Sequence, residues 1–418
     1  MLLSHETTIK LDTATANIIG HMCYAASKLW NVCNYERNNY KELGLSRYPD
    51  WYYQKSVHKD NMWYKSLPSQ TAQEICKLLD KSWKSFYRLQ KTGGIVNPRP
   101  PKYKQSGIAI TYMQNGIVHE AGSDTVRLSL SKALKEYMSS VYDISNNYLF
   151  LKNVLFQNTD VIKQIKIYPP KEDGNCRLIV IYEVADTEML PDNGRYLSID
   201  LGLHNLMTCY DAGGKSFILG RKYLAITHRY DREIARVQSQ WARVQTSRGV
   251  KYPKPSKHLL KLYESKHHTV KDYLHKITRH VADYCRDNKV NRVVIGDITG
   301  IRRDNDLGSK NNQQLHGLPY AQIYTMLEYK LKMYGIRLIK QEESYSSQCS
   351  PKSETVSKES AAKSNRVSRG LYAEGRQIYN ADAVGAYNIM RKYCAVSGTV
   401  IIMPVSGLSN PEIIKAAV

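Results

Sequence analysis

Hydrophobic periodicity changes twice along this chain, which excludes a single all-helical or all-β domain. Residues 13–42 place Ile18, Met22, Ala25, Leu29 and Val32 at steps of three and four, and residues 69–90 repeat the pattern through Ala72, Ile75, Leu79, Trp83 and Phe86. Such spacing lines one face of a helix. After the breaker GGIVNPRPPKYK (93–104) the period drops to two, in IAITYM (108–113), TVRLSL (125–130), QIKIYP (164–169) and CRLIVIYEV (176–184). Alternation of this kind is the pattern of half-buried strands, and the block reads as a small barrel. From residue 195 the two periods mix. RYLSIDLG, NLMTCYD and KSFILG form a three-strand meander through the turn DAGG; two long helices follow over about 228–247 and 257–286, paired as a hairpin across SRGVKYPKPS. VVIGDI is a fourth strand, about 319–334 a helix, IRLIKQEE (336–343) a fifth strand and NADAVGAYNIMRKY (380–393) a closing helix with an acid in its first turn. TVIIM, beyond Cys394, is one more short strand candidate.

Charge bears on partners. The 418 residues contain 60 Lys and Arg against 38 Asp and Glu, a formal net charge of +22, and 32 Tyr against 4 Phe. A surplus of that size points to a polyanion, and hydroxyl-bearing rings suit half-wet surfaces where bases stack. Between 221 and 280 lie 15 Lys and Arg, four acids and six histidines. Lys257, Lys261, Lys271 and Lys276 are therefore candidates for a phosphate track. The stretch SPKSETVSKESAAKSNRVSRG (350–370) is Ser/Lys-rich, poor in core formers and reads as a loop or mobile insert. No segment reaches the roughly 18 to 20 apolar residues of a membrane span, and the N-terminus lacks the pattern of a signal peptide. Eight scattered cysteines without a C-x-x-C pair argue against a disulfide framework and fit a reducing cytoplasm.

The order of the second half, a meander followed by alternating helices and strands, is that of a ribonuclease H-like fold. Its acids come from Asp200 on the first strand, Asp297 after the fourth, Glu342 and Glu343 after the fifth, and Asp382 on the last helix. Phosphodiester hydrolysis calls for such a cluster, because divalent cations that stabilise the attacking and leaving oxygens prefer carboxylate ligands.

SIDLGLHNL (198–206), VVIGDITGIRR (293–303), YSSQC (345–349) and NADAVGAYNI (380–389) together resemble the RuvC motifs of TnpB, a family of RNA-guided endonucleases carried by insertion sequences and related to type V CRISPR effectors. The resemblance implies a multidomain α+β chain: a wedge-like β-barrel from 1–12 and 95–190, a helical recognition domain over 13–94, and a RuvC-like nuclease domain over 191–418. Within the last it places the basic hairpin at 222–290 and a degenerate target-nucleic-acid-binding insert at 346–378. Asp200 matches the first catalytic aspartate and Asp382 the last. The glutamate the family usually carries in the middle motif is replaced by Gly296. Asp297 could substitute, but it should face the other side of its strand. Glu343, three residues before Ser346, resembles the relocated glutamate of the eukaryotic relatives called Fanzors and is the preferred third acid, with Glu342 on the wrong face.

The implied function is metal-dependent cleavage of DNA, using two Mg²⁺ or Mn²⁺ ions held by Asp200, Glu343 and Asp382. Guide RNA and a target DNA bearing a short adjacent motif are the implied partners, without membrane or small-molecule substrate, in a prokaryotic cytoplasm and at the nucleoid when on target. Of the family's four-cysteine zinc ribbon only Cys349 remains, so no zinc is expected. Arg302, Arg303, Lys352, Lys358, Lys363, Arg366 and Arg369 are expected to contact nucleic acid. A nuclease-dead RNA-guided repressor and a type V CRISPR effector are the alternatives.

Overall fold

The structure is a computed structural model that describes residues 1–93, 95–299, 314, 317–368 and 370–415. The chain divides into two compact units, Met1–Ala185 and Asp186–Val418.

In the first unit, strand β1 (Leu2–Lys10) leads into helix α1 (Thr13–Asn38), whose start is capped by the Asp12 carboxylate accepting from the Thr15 amide at 2.8 Å. Two short helices, α2 (Trp51–Val57) and α3 (Met62–Lys65), precede α4 (Ser69–Thr92), which ends on left-handed Gly93. Then come β2 (Ile110–Met113), β3 (Ile117–His119), β4 (Thr125–Ser129), helix α5 (Lys132–Tyr142), β5 (Tyr148–Lys152), helix α6 (Val154–Gln157), β6 (Val161–Ile167) and β7 (Asn175–Glu183). The helical and strand blocks share one hydrophobic core: Ile18, Leu29, Ile75 and Leu79 belong to the same buried cluster as Ile110, Val126, Leu149 and Leu178. Each such side chain contributes about 1.5–3 kcal/mol by leaving water.

Among the described residues the strands form two separate sheets, one in the order β1-β7-β6-β2 and one in the order β3-β4-β5. The chain leaves the first sheet at the end of β2, and β3 pairs with β4, whose own second partner is β5. Helix α5 intervenes between β4 and β5. It starts on a capping Ser131 and buries Leu134 and Met138, so a helical stretch sits inside a block whose period of two suggested strands alone.

Among the described residues the second unit is built on a six-stranded sheet in the order β12-β11-β8-β9-β10-β15. Its strands are β8 (Tyr196–Asp200), β9 (Met207–Asp211), β10 (Ser216–Leu219), β11 (Arg292–Asp297), β12 (Arg337–Glu342) and β15 (Glu412–Ile413). β8, β9 and β10 are the antiparallel meander; β11 runs parallel to both β8 and β12. The expected chain order, a meander followed by helices alternating with strands, is present in β8 to β12. Helices cover both faces. Helix α7 (Tyr223–Ser247), helix α8 (Lys257–Asp287) and helix α9 (Tyr320–Lys332) bury Tyr223, Leu274, Ile277, Val281, Ile323 and Leu327 against Leu197, Ile199 and Ile295. Helix α10 (Ala381–Ser397) packs Val384, Ile389 and Met390 on the other face, with Tyr196, Tyr210 and Val294. Strand alternation thus decides which helix each side chain meets.

Two further expectations change. TVIIM is not a strand among the described residues: the segment is irregular, with Val400 and Ile402 exposed and the Pro404 carbonyl held by the Tyr210 hydroxyl at 2.7 Å. The Ser/Lys-rich insert is folded rather than loose. Cys349 and Ala361 form a β-bridge, and directly after the insert β13 (Leu371–Glu374) with β14 (Gln377–Asn380) makes a hairpin. Arg391 on α10 ties the insert down by donating to the Ser350 carbonyl at 3.0 Å and to the Ser353 carbonyl. Composition gave no sign of this, because the fastening side chain lies outside the segment.

Candidate nuclease centre

Asp200 is the last residue of β8 and shares the α10 face with Ser198, whose hydroxyl donates to the Ala386 carbonyl at 2.6 Å. Helix α10 comes close because it carries a glycine there. A β-carbon on Gly385 would stand 2.7 Å from Asp200 Oδ2, so the missing side chain makes the room the carboxylate occupies. Asp382 lies in the first turn of α10, where the Asn380 side chain caps the amides of Asp382 and Ala383 at 3.1 Å each. Its Oδ2 accepts from Asn205 Nδ2 at 2.7 Å, which fixes the carboxylate from the β8–β9 loop. Asn205 lay within the quoted first motif without being singled out, and an amide just after I-D-L-G was the only local signal.

Ile295 pairs with Ile199, so the next residue, Gly296, falls beside Asp200 on the α10 face. A β-carbon at Gly296 would collide with Glu343 Oε2 and stand 3.2 Å from Ile389 Cδ1. Glu343, one residue past β12, therefore sets its carboxylate in the space a side chain at 296 would fill. Asp297 points away from this group. Its Oδ1 accepts the Thr299 amide at 2.9 Å and the Thr299 hydroxyl, the closure of an Asx turn, and these bonds hold the carboxyl below the usual aspartate range. On Asp297's side of the strand, the Tyr324 hydroxyl donates to the Gly296 carbonyl. Glu342 is exposed and occupied elsewhere, accepting from the Lys392 ammonium and from the Ser344 amide at 2.5 Å. Burial acts to raise its carboxyl, but Lys392 and Ser344 outweigh that and hold it low.

The electrostatics separate Asp200 and Glu343 from these bystanders. Burial, then the charges of Glu343 and Asp382, push the Asp200 carboxyl well up, against the pull of Arg366. Burial, then Glu342 and Asp297, push Glu343 up to about 7. Among the described residues Glu343 Oε2 is buried and finds no hydrogen-bond partner. A buried carboxylate oxygen without a donor is costly unless a cation or proton satisfies it. Among the described residues no three Asp, Glu, His or Cys stand as a ready ligand set around one point. The donor types nevertheless fit a hard divalent cation: carboxylate oxygens from three elements, one of them orphaned.

The nucleic-acid candidates separate by face. Lys257, Lys261 and Lys271 recur along one side of α8, on the sheet face opposite α10, whereas Lys276 is turned away from Lys257 and ion-paired with Asp272 at 2.7 Å. Lys352, Lys358 and Lys363 are exposed on the insert. Arg366 differs from them, as its Nη2 lies 3.9 Å from Asp382 Oδ1 and faces the acids. Arg302, Arg303 and Arg369 lie outside the described residues. No helix among the described residues is long and apolar enough to cross a membrane.

Comparison with known proteins places these features in a family context. Residues 179–302 match a protein-family profile described as OrfB_IS605, probable transposase. That stretch resembles the OrfB_IS605 transposases. Residues 320–389, which contain Glu343 and Asp382, match the profile of the Cas12f1-like TNB domain. Among solved structures, a Cas12f1 in complex with sgRNA and target DNA aligns over 90% of this chain and 83% of its own, with a TM-score of 0.58 and 15% identity. CasPhi-2 (Cas12j) bound to crRNA and phosphorothioate DNA aligns over 96% and 92%, with a TM-score of 0.43 and 10% identity. The likeness to Cas12f1 is one of fold, a mixed α+β multidomain architecture with a RuvC-like sheet. No curated protein sequence matches the chain.

Proposed function

We propose that this chain is an RNA-guided DNA endonuclease that hydrolyses phosphodiester bonds at Asp200, Glu343 and Asp382. The observation that carries the reading is Glu343 seated over Gly296. A carboxylate whose buried oxygen has no partner among the described residues faces the same helix as Asp200, a placement with an electrostatic cost. The family matches over 179–302 and 320–389 support it from sequence.

In this reading Asp200, Glu343 and Asp382 hold Mg²⁺ or Mn²⁺, which supplies charge stabilisation for the attacking and leaving oxygens. The remaining work belongs to side chains of the chain itself. Asn205 orients the Asp382 carboxylate through its 2.7 Å bond. Ile389 and the bare backbone of Gly296 shape the seat of Glu343. Arg366, beside Asp382, stands where a guanidinium can meet a phosphate brought to the acids. Base pairing with a bound guide supplies sequence recognition, and the lysines of α8 and of the insert supply backbone contacts.

The test compares Glu343→Ala and Asp297→Ala at equal guide occupancy on a matched DNA target. Glu343→Ala ends cutting and keeps guided binding, whereas Asp297→Ala retains partial activity. A dead Asp297→Ala beside a normally cutting Glu343→Ala overturns the assignment, and copurification of random RNA only overturns the guided reading.

A further inference from the structure

The small β3-β4-β5 sheet presents one face to the core and one to solvent, and the solvent face is not the polar surface such a meander ordinarily shows. Val126, Leu128, Leu149 and Leu151 point inward and are fully buried. On the outer face Phe150 is 57% exposed and Tyr148 is 42% exposed. They are two residues apart on β5, so the strand itself spaces their rings, with centroids 6.5 Å apart and planes at 70°. Arg127 pairs with Phe150 in register and sets its guanidinium 4.4 Å from the Tyr148 ring centroid. Lys152, next along the same face, pairs with Thr125 in register and reaches Asp124 at 3.2 Å, an exposed ion pair of little net strength.

We propose that this face is a stacking platform for unpaired bases of single-stranded RNA, with Tyr148 and Phe150 as the base-stacking rings and Arg127 and Lys152 contacting the backbone. Flat rings that keep half their area in water gain from covering by another π face, and every base offers one. Charge selects the occupant. Two cations flank the rings on a chain of net charge +22, which favours a polyanion over a neutral apolar partner. The choice of RNA over single-stranded DNA rests on the guided-nuclease reading.

The experiment measures binding by the full-length protein in EDTA, which prevents metal-dependent cleavage. The probes are a short fluorescent oligoadenylate, its DNA counterpart, and a ribose-phosphate oligomer of equal length without bases. Wild type prefers the base-bearing RNA. Tyr148→Ala/Phe150→Ala lowers affinity for it by about tenfold or more, leaves the abasic oligomer unaffected and melts as wild type does, because both side chains are exposed. Arg127→Ala weakens both RNA probes and lowers the salt slope. A base preference that survives the double variant, an equal loss on the abasic probe, a wild type without base preference, or a preference for the DNA probe each overturns the proposal. So does a double variant that keeps RNA binding but alters self-association, since the face is then a protein interface. If the platform variant loses base-dependent binding while no guide copurifies and no DNA is cut, the platform stands and the guided reading fails; intact cutting with an unchanged base preference gives the reverse.

Discussion

Replacing Glu343 with Gln should stabilise the metal-free protein above neutral pH while ending cleavage. The folded state raises this carboxyl from its ordinary 4.5 to about 7, chiefly through burial. Below pH 4.5 the group is protonated in both folded and unfolded chains and has no effect on relative stability. Between 4.5 and 7 the folded chain keeps a proton that the unfolded chain has released, so stability falls as pH rises. Above 7 the full penalty is present, roughly 3 kcal/mol at most, since each pH unit of displacement corresponds to about 1.4 kcal/mol. Gln has the same shape and no charge to bury. In EDTA the melting midpoint of Glu343→Gln should match wild type at pH 4 and exceed it by several degrees at pH 8. Added Mg²⁺ should then raise the wild-type midpoint more than that of the variant, because the cation satisfies the carboxylate that the variant lacks. A variant equal to or less stable than wild type at pH 8 in EDTA would refute the claim that Glu343 is held there against its electrostatics.

Gly296→Ala should reduce cutting by about a hundredfold, the scale of an ångström-sized misplacement, with little change in melting, because the displaced atoms are the far end of a flexible Glu343; unchanged cleavage rates would show that the seat is unnecessary. Lys330 is buried between α8 and α9, donating to the His275 carbonyl at 2.7 Å and to Thr278 Oγ1 at 2.8 Å, and burial pushes its ammonium down from 10.5 to about 8. Its folded-state advantage is present above pH 10.5 and lost as pH falls through 8, so Lys330→Met should raise the melting midpoint at pH 7 and lose that gain by pH 10.5. In the first unit Arg37 and Asp80 form a buried ion pair at 3.0 Å. Asp80→Ala leaves the guanidinium uncompensated and should cost about 3–5 kcal/mol in chemical denaturation; a loss below 1 kcal/mol would contradict the pairing.

Several features were legible because they depend on near neighbours in the chain. Apolar steps of three and four marked α1, α4 and the α7–α8 pair, and alternation marked β4, β6 and β7; the starts of α1 and α8 fall where the period begins, after the caps Asp12 and Ser256, whereas the end of α1 and the start of α7 are displaced by a few residues. The same alternation predicted that Asp297 faces away from a side chain at 296, and the Asx turn with Thr299 shows where it goes. The α5 helix and the break between the two sheets of the first unit were not legible. Both depend on which strand finds which partner, and edge pairing leaves no period of its own.

Covalent geometry made the order of elements, the meander followed by alternating helices and strands, and the face on which each strand residue lies properties of the sequence by itself. Tertiary structure alone decided the rest. That Glu343 fills the space above Gly296, that Gly385 opens room for Asp200, and that Asn205 and Arg366 reach Asp382 are contacts between segments far apart in the chain. They arise because parallel pairing of β11 with β8 and β12 brings three strand ends to one edge beneath the start of α10. Side chains separated by long loops carry no local pattern that announces such a meeting; only the packed sheet and helix bring the carboxylates within reach of one another's charge.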